Sequence, residues 1–313
     1  MTGVVIVCYL RPKNLEIILE EIAKSPRKVY VFIDKAPVGF ESVTERIVDA
    51  AEKFSDSLDI QIFKWNQNHG VSRAVPDAVS AVLELEERII VLEDDCIPNE
   101  YALEYFDLSS KILGNQVVMI SGRSAQSNSP TEVQKCNCLR LTHYPLINGW
   151  MVNLNSWEKI KPQNYQLKFL ASIKWLARNP TKVLVFCFFL AAYIRVSKGR
   201  LQAWDSIVAI RMLINNFLSV TPNYTVVKVL GVDEVASHTK LVNLESDVYL
   251  QDDCKRPSTQ LIDNEESIGN ADRDIIGHIY EIRARHIFSP IWATLDSSRE
   301  KLLKWLHKVK GGH

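Results

Sequence analysis

The chain has 313 residues, 47% of them hydrophobic and 24% charged, with 37 basic and 37 acidic side chains. That length holds one large domain or two small ones with ample core, and the composition is ordinary for a globular protein. A net charge of zero leaves no global electrostatic case for nucleic acid as a partner.

The first half reads as alternating strands and helices. Val4–Cys8 is an apolar strand, and with a strand beginning at Gly3 no signal peptide or anchor is expected before it in this sequence. Asn14–Lys24 follows as a helix with Leu15, Ile18, Leu19 and Ile22 on one face. Val29–Ile33 is a strand ending in Asp34, and Ser42–Phe54 carries Val43, Ile47, Ala50 and Phe54 at helical spacing. Asp59–Phe63 reads as a strand, Asn66–Arg73 as a loop, Val75–Leu85 as a helix and Ile89–Leu92 as a further strand. This βαβαβαβ order predicts an α/β fold with a mostly parallel sheet and right-handed crossovers.

Beyond residue 115 the alternation breaks down. Val117–Ser121 and Cys138–Thr142 read as strands, Asn148-Gly149-Trp150 as a glycine turn, and Ser156–Ile160 as a helix start. Residues 165–200 are apolar and basic, Ala203–Asn216 reads as a helix, and Leu218–Val220 and Thr225–Val229 as short strands. Lys240 to Asn270 is polar and reads as a long loop. The six cysteines are scattered; Cys136-Asn137-Cys138 is one residue short of a zinc C-x₂-C knuckle and has no second pair. Cys8, Cys96 and Cys187 sit in apolar runs as core thiols, and the expected compartment is a reducing cytoplasm.

The run Ile89-Ile90-Val91-Leu92-Glu93-Asp94-Asp95 carries the chemistry. A β-branched strand ends abruptly in three carboxylates, which repel one another and are costly to desolvate. A hard divalent cation relieves that cost, and the C-terminal edge of strands is where open α/β sheets bind ligands. Neither G-x-G-x-x-G nor the P-loop G-x₄-G-K-[ST] follows the first strand, so a nucleotide's phosphates would need a metal and basic side chains.

The ordered set resembles the GT-A glycosyltransferases, and among them the N-acetylglucosaminyltransferase I type and bacterial surface-polysaccharide transferases. It is carried by Ile6-Val7-Cys8-Tyr9-Leu10-Arg11-Pro12, Asn68-His69-Gly70-Val71-Ser72, Val91-Leu92-Glu93-Asp94-Asp95, Asn148-Gly149-Trp150, Trp204-Asp205, and Gly231 with His238, over residues 3–240. The resemblance implies a GT-A, Rossmann-like sheet and transfer of a sugar from a nucleoside-diphosphate sugar, a UDP-sugar above others. It implies Asp95 as the direct ligand of Mn²⁺ or Mg²⁺, His238 completing the metal shell, and Glu93 and Asp94 facing the donor's ribose or sugar. Tyr9, Arg11 and Asp34 would hold base and ribose. Asp205 would take the proton from the acceptor hydroxyl, although an Asp at a helix start also serves as a cap. A base opposite the leaving group gives inversion.

The residues support parts of this directly. Gly70 permits close backbone approach, Arg73 suits a diphosphate, and Asn68 belongs to the same loop. Gly149 and the Trp150 indole suit contact with a sugar, with a turn beside a core tryptophan as the alternative. A cation stabilises a departing diphosphate as its charge develops.

Val183–Ile194 is a twelve-residue uncharged run flanked by Lys174, Arg178, Lys182, Arg195, Lys198 and Arg200. As a helix it reaches about 18 Å, short of the ~30 Å hydrocarbon core, so it is expected to dip into an anionic membrane face without spanning it. Arg299 to Lys310 reads as a second, basic amphipathic helix. The expected organisation is a domain over residues 1–240, with a nucleotide-binding half (1–115) and an acceptor half (116–240), then an extension over 241–313. The acceptor is expected to be a glycan or lipid-linked glycan, and the site the inner face of the cell membrane. A sugar nucleotidylyltransferase is disfavoured because Cys8-Tyr9-Leu10-Arg11-Pro12 lacks its glycine-rich loop, and an inactive sugar-binding scaffold remains the non-enzymatic alternative.

Overall fold

The computed structural model describes residues 1–124, 138–163, 166–230, 260–263, 265–279 and 289–290. His238 and the basic segment 299–310 lie outside the described residues.

Strand β1 (Gly3–Cys8) is buried along its whole length. Val4, Ile6 and Cys8 enter one core and Val5 and Val7 another, on the opposite face of the sheet. A strand covered on both faces needs no polar alternation, which is why these strands read as unbroken apolar runs. β2 (Lys28–Ile33) and β4 (Arg88–Glu93) flank β1 in parallel, and β3 (Asp59–Lys64) lies parallel beyond β2. The crossovers are α1 (Pro12–Ala23), α2 (Glu41–Glu52) and α3 (Val71–Val82).

The second half completes a mixed sheet. After β5 (Cys96–Pro98) and α4 (Ala102–Ser109) come β6 (Val117–Ser121), β7 (Leu139–Thr142) and β8 (Trp150–Asn153). Helices α5 (Leu154–Ile160), α6 (Phe169–Arg178), α7 (Val183–Ser197) and α8 (Trp204–Ile214) lead to β9 (Leu218–Pro222) and β10 (Val227–Val229). β11 (Leu261–Ile262) and α9 (Glu265–Asp274) follow. The nine-stranded order is β11-β7-β9-β6-β8-β4-β1-β2-β3, and β5 pairs with β10 in a small antiparallel ribbon. β8 runs antiparallel to both β4 and β6, and β7 antiparallel to β9; the other pairings are parallel. The fold is therefore α/β, with a large, mostly parallel mixed sheet flanked by helices.

One face is covered by α1, α2 and α4, the other by α3, α5 and α8. A third core joins α7 to the outer side of α8 through Val185, Phe186, Phe189, Ala209, Ile210 and Leu213. Helix α9 is tied to the end of β7 by Asp272, whose carboxylate accepts from the Thr142 hydroxyl (2.7 Å) and the His143 amide (2.9 Å).

Several elements differ from the sequence reading. The third helix begins at Val71 and not at Val75, because Gly70 (φ +64°) turns the chain; Pro76 lies within the helix. The short strand β5 and the helix α4 were not read from sequence. Trp150 opens a strand, so the glycine turn ends at Gly149. Glu265–Asp274, expected within a loop, is helical, and Leu261–Ile262 adds the outermost strand to the sheet. The apolar helix, with its leading turn, covers Pro180–Ser197; by length and composition these 18 residues can cross a membrane, with 28% of them buried. The shorter estimate stopped at Arg195, a charge that the last turn of a helix accommodates favourably. Cys8, Cys96 and Cys187 are free thiols. Cys138 is disulfide-bonded.

Candidate active site

The parallel strands β1, β2 and β4 end at one edge, so Tyr9, Asp34 and Glu93-Asp94-Asp95 share it by topology. Alternation along β4 separates the three acids. Glu93 follows the direction of Val91, toward the face covered by α3 and α8.

Helix α8 delivers Asp205 to the same place. Its cap is Ala203, which makes no side-chain bond, so Asp205 is the second residue of the helix and not the cap. Crowding by protein pushes the Glu93 carboxyl well above the usual range, and the charges of Asp95, Asp94 and Asp205 add to it, with Arg11 opposing. The charges of three acids, one of them from a distant stretch, thus act on Glu93 at the edge.

Asp94 is turned inward. It is 5% exposed. Its Oδ2 accepts from the Tyr9 amide and its Oδ1 from the Arg11 guanidinium, both at 2.8 Å. Its own amide donates to the Val7 carbonyl (3.0 Å), and its carbonyl accepts from Asn14 Nδ2 (2.8 Å). Burial raises the Asp94 carboxyl, and the Arg11 charge and Tyr9 amide pull against it. Both carboxylate oxygens of Asp94, expected to face the donor's ribose or sugar, are engaged within the protein by Tyr9 and Arg11. Asp95 is partly exposed; its Oδ1 accepts from the Cys96 thiol (3.3 Å) and its carbonyl from the Leu230 amide (2.8 Å). The chain thus returns to Asp95 immediately before the stretch holding Gly231 and His238, which lies outside the described residues.

Asp34 is 4% exposed and clamps the next loop. Oδ1 accepts from the amides of Lys35 (2.9 Å) and His69 (2.8 Å), and Oδ2 from Gly70 (2.9 Å). With three backbone donors on its carboxylate, Asp34 shapes the loop where a base-binding acceptor was expected. Asn68 Nδ2 reinforces the clamp by donating to the Lys35 carbonyl (2.8 Å). His69 stacks on Trp65 (4.4 Å between centroids, 9° between planes) and its Nδ1 lies 3.2 Å from Asp77. The Arg73 side chain is 69% exposed at the start of α3, with Nε 3.7 Å from Asp77.

The expected sugar platform is interior. Trp150 is fully buried and packs against Trp157 (5.9 Å) and Trp204 (5.7 Å). Gly149 (φ +66°) faces Val227, whose Cγ1 would lie 2.4 Å from an added Cβ. Packing of β10 through Val227 is reason enough for a glycine there. Sequence reasoning missed Asn14, Cys96, Trp65 and Gln202. The last lies over Gly70, 2.8 Å from the position of an added Cβ, and joins the stretch before α8 to the Asp34 loop.

The carboxylates of Glu93, Asp95 and Asp205 fit a hard divalent cation in kind, since their mutual repulsion is what such an ion relieves. Among the described residues, no group of three or more His, Cys, Asp and Glu side chains is arranged to hold a metal ion.

No protein-family model and no curated protein matches the chain. Solved structures similar to it include S. aureus TarS 1-349, at 16% identity over 53% of this chain and 52% of that one, with a TM-score of 0.38. Mannosyltransferase PcManGT from Pyrobaculum calidifontis, in complex with GDP-Man and Mn²⁺, matches at 17% identity over 50% and 45%, with a TM-score of 0.35. Mouse xyloside xylosyltransferase 1 matches at 10% identity over 50% and 69%, with a TM-score of 0.31. The match covers 23% of a longer TarS chain and about half of the next two. With TM-scores this low, these likenesses set neither a family nor an activity for this chain.

Proposed function

We propose that the chain is a metal-dependent glycosyltransferase of the GT-A type. It would move a sugar from a nucleoside-diphosphate sugar, a UDP-sugar above others, to a hydroxyl of a glycan or lipid-linked glycan, with inversion. The observation that carries this reading is that Glu93, Asp94 and Asp95 end strand β4 at the C-terminal edge of a parallel sheet, within reach of the Asp205 charge from the start of α8. A carboxylate at a helix start, close enough for its charge to act on an acid at a strand end, would supply a base beside a site for a divalent cation.

In this reading Asp95, with His238, would hold Mn²⁺ or Mg²⁺, which when bound stabilises the charge developing on the departing diphosphate. Tyr9 borders the nucleoside on the β1 side, and the Asp34-clamped loop with Asn68 and Gly70 borders it on the other. The exposed Arg73 guanidinium is available to the diphosphate. Asp205 accepts the proton of the acceptor hydroxyl. Glu93, crowded by like charges, orients the donor sugar by hydrogen bonding. The apolar helix Pro180–Ser197, which precedes α8 and is followed by Lys198 and Arg200, would lie on the acceptor side and contact an anionic membrane face.

A thermal-shift panel of UDP-, GDP-, dTDP- and CMP-sugars, with and without Mn²⁺, tests the reading. Metal-dependent stabilisation by one nucleotide class, with slow release of its nucleoside diphosphate, is the expected result. Absence of any nucleotide response with Mn²⁺ present contradicts it. Failure to float with anionic liposomes would remove the membrane part alone.

A further inference from the structure

We propose that Asp94 is a positioning residue which sets the β1–α1 turn and ligates neither cation nor donor. Every polar group it owns is engaged by residues 7–14: Val7 and Asn14 through the backbone of Asp94, Tyr9 and Arg11 through its carboxylate. The Arg11–Asp94 pair is enclosed, with side chains 13% and 6% exposed. These contacts join two turns that are distant in sequence, Tyr9–Asn14 and Glu93–Asp95, into one rigid edge.

The arrangement has two consequences. Arg11 pairs directly with Asp94 and its charge also acts on Glu93; the carboxylates left to meet a cation are Glu93, Asp95 and Asp205. Tyr9 is presented from a backbone that Asp94 holds, so loss of the brace lowers nucleotide affinity through Tyr9, while the Asp95 carboxylate itself is left in place to meet a cation. This part rests on the glycosyltransferase reading; the brace itself does not.

The test is a mutant cycle of Asp94→Asn, Arg11→Gln and the double variant in the full chain. Three readouts are used: amide hydrogen exchange at Tyr9 to Leu15 without ligand, Mn²⁺ binding by electron paramagnetic resonance, and UDP and GDP binding with Mn²⁺ by calorimetry. Asp94→Asn keeps an oxygen for the Tyr9 amide while removing the charge that holds Arg11. Exchange in the turn is expected to quicken by about tenfold in each single variant and by about the same factor in the double, because partners in one interaction are non-additive. Mn²⁺ affinity should stay within about twofold of wild type, while affinity for the binding nucleotide falls by about tenfold in all three.

Unchanged exchange in the single variants, or effects that multiply in the double, overturn the brace. A loss of Mn²⁺ affinity of about tenfold or more in Asp94→Asn makes Asp94 a ligand and overturns it equally. If wild type binds neither UDP nor GDP, the donor reading fails while the exchange data still decide the brace.

Discussion

Asp205, at the start of α8, lies near enough to Glu93, at the end of β4, that its charge helps hold the Glu93 carboxyl above its usual range. In a metal-free protein that proximity is a repulsion. Glu93→Gln removes one charge at constant shape, so it should raise stability in EDTA by about 1 kcal/mol, read by urea denaturation. The same variant should gain less than wild type from added Mn²⁺, because a smaller repulsion remains for the ion to relieve. Destabilisation in EDTA would show that Glu93 is held by favourable contacts instead.

Asp205→Asn separates base from scaffold. Because Ala203 and not Asp205 caps α8, replacement by the isosteric amide should cost under about 1 kcal/mol, the scale of a lost helix-dipole interaction. Turnover should fall by about 10²- to 10⁴-fold, the scale of a general base, with donor affinity retained. Full turnover would move the base elsewhere.

Gly149 and Gly39 are both turn glycines with positive φ, but only Gly149 is enclosed. Gly39→Ala should cost about 1 kcal/mol from the left-handed backbone alone. Gly149→Ala adds a clash with Val227 and should cost about 3 kcal/mol or more. Combining it with Val227→Ala should recover part of that loss in denaturation experiments. Equal costs for the two alanines would remove the packing argument.

The strands that build the edge were legible because burial on both faces turns them into unbroken β-branched runs, as at Val4–Cys8 and Ile89–Leu92. The acids after β4 and the Asp of Trp204-Asp205 were legible as chemistry because carboxylates at element ends are few. Their proximity was not, since it depends on how α8 crosses the sheet. Helix α3 reads as Val75–Leu85 from its apolar spacing, while the real boundary is set by the positive φ of Gly70. Helix α4 has no Ser, Thr, Asp or Asn cap, its cap being Tyr101. The roles of Asp34, Asp94, Gly149 and Trp150 turn on partners far along the chain, His69 and Gly70, Arg11, Val227 and Trp204 respectively. No local pattern distinguishes a residue facing a ligand from one facing such a partner.

The Asp34 clamp makes its own prediction. Asp34→Ala removes the acceptor of the Lys35, His69 and Gly70 amides, so exchange at His69 and Gly70 should quicken by roughly tenfold or more. The apolar strand β2, buried before it, should keep its protection. Unchanged exchange at His69 and Gly70 would show that the loop is held by other contacts.

The central claim is that Asp95 grips a divalent cation which steadies a departing diphosphate. Its most direct test is Mn²⁺-dependent release of nucleoside diphosphate from the responding sugar nucleotide, compared between wild type and Asp95→Ala at matched folding. Release by wild type that falls by about 10³-fold in the variant, together with lost Mn²⁺ binding, is the predicted result. Full release by Asp95→Ala would contradict the account.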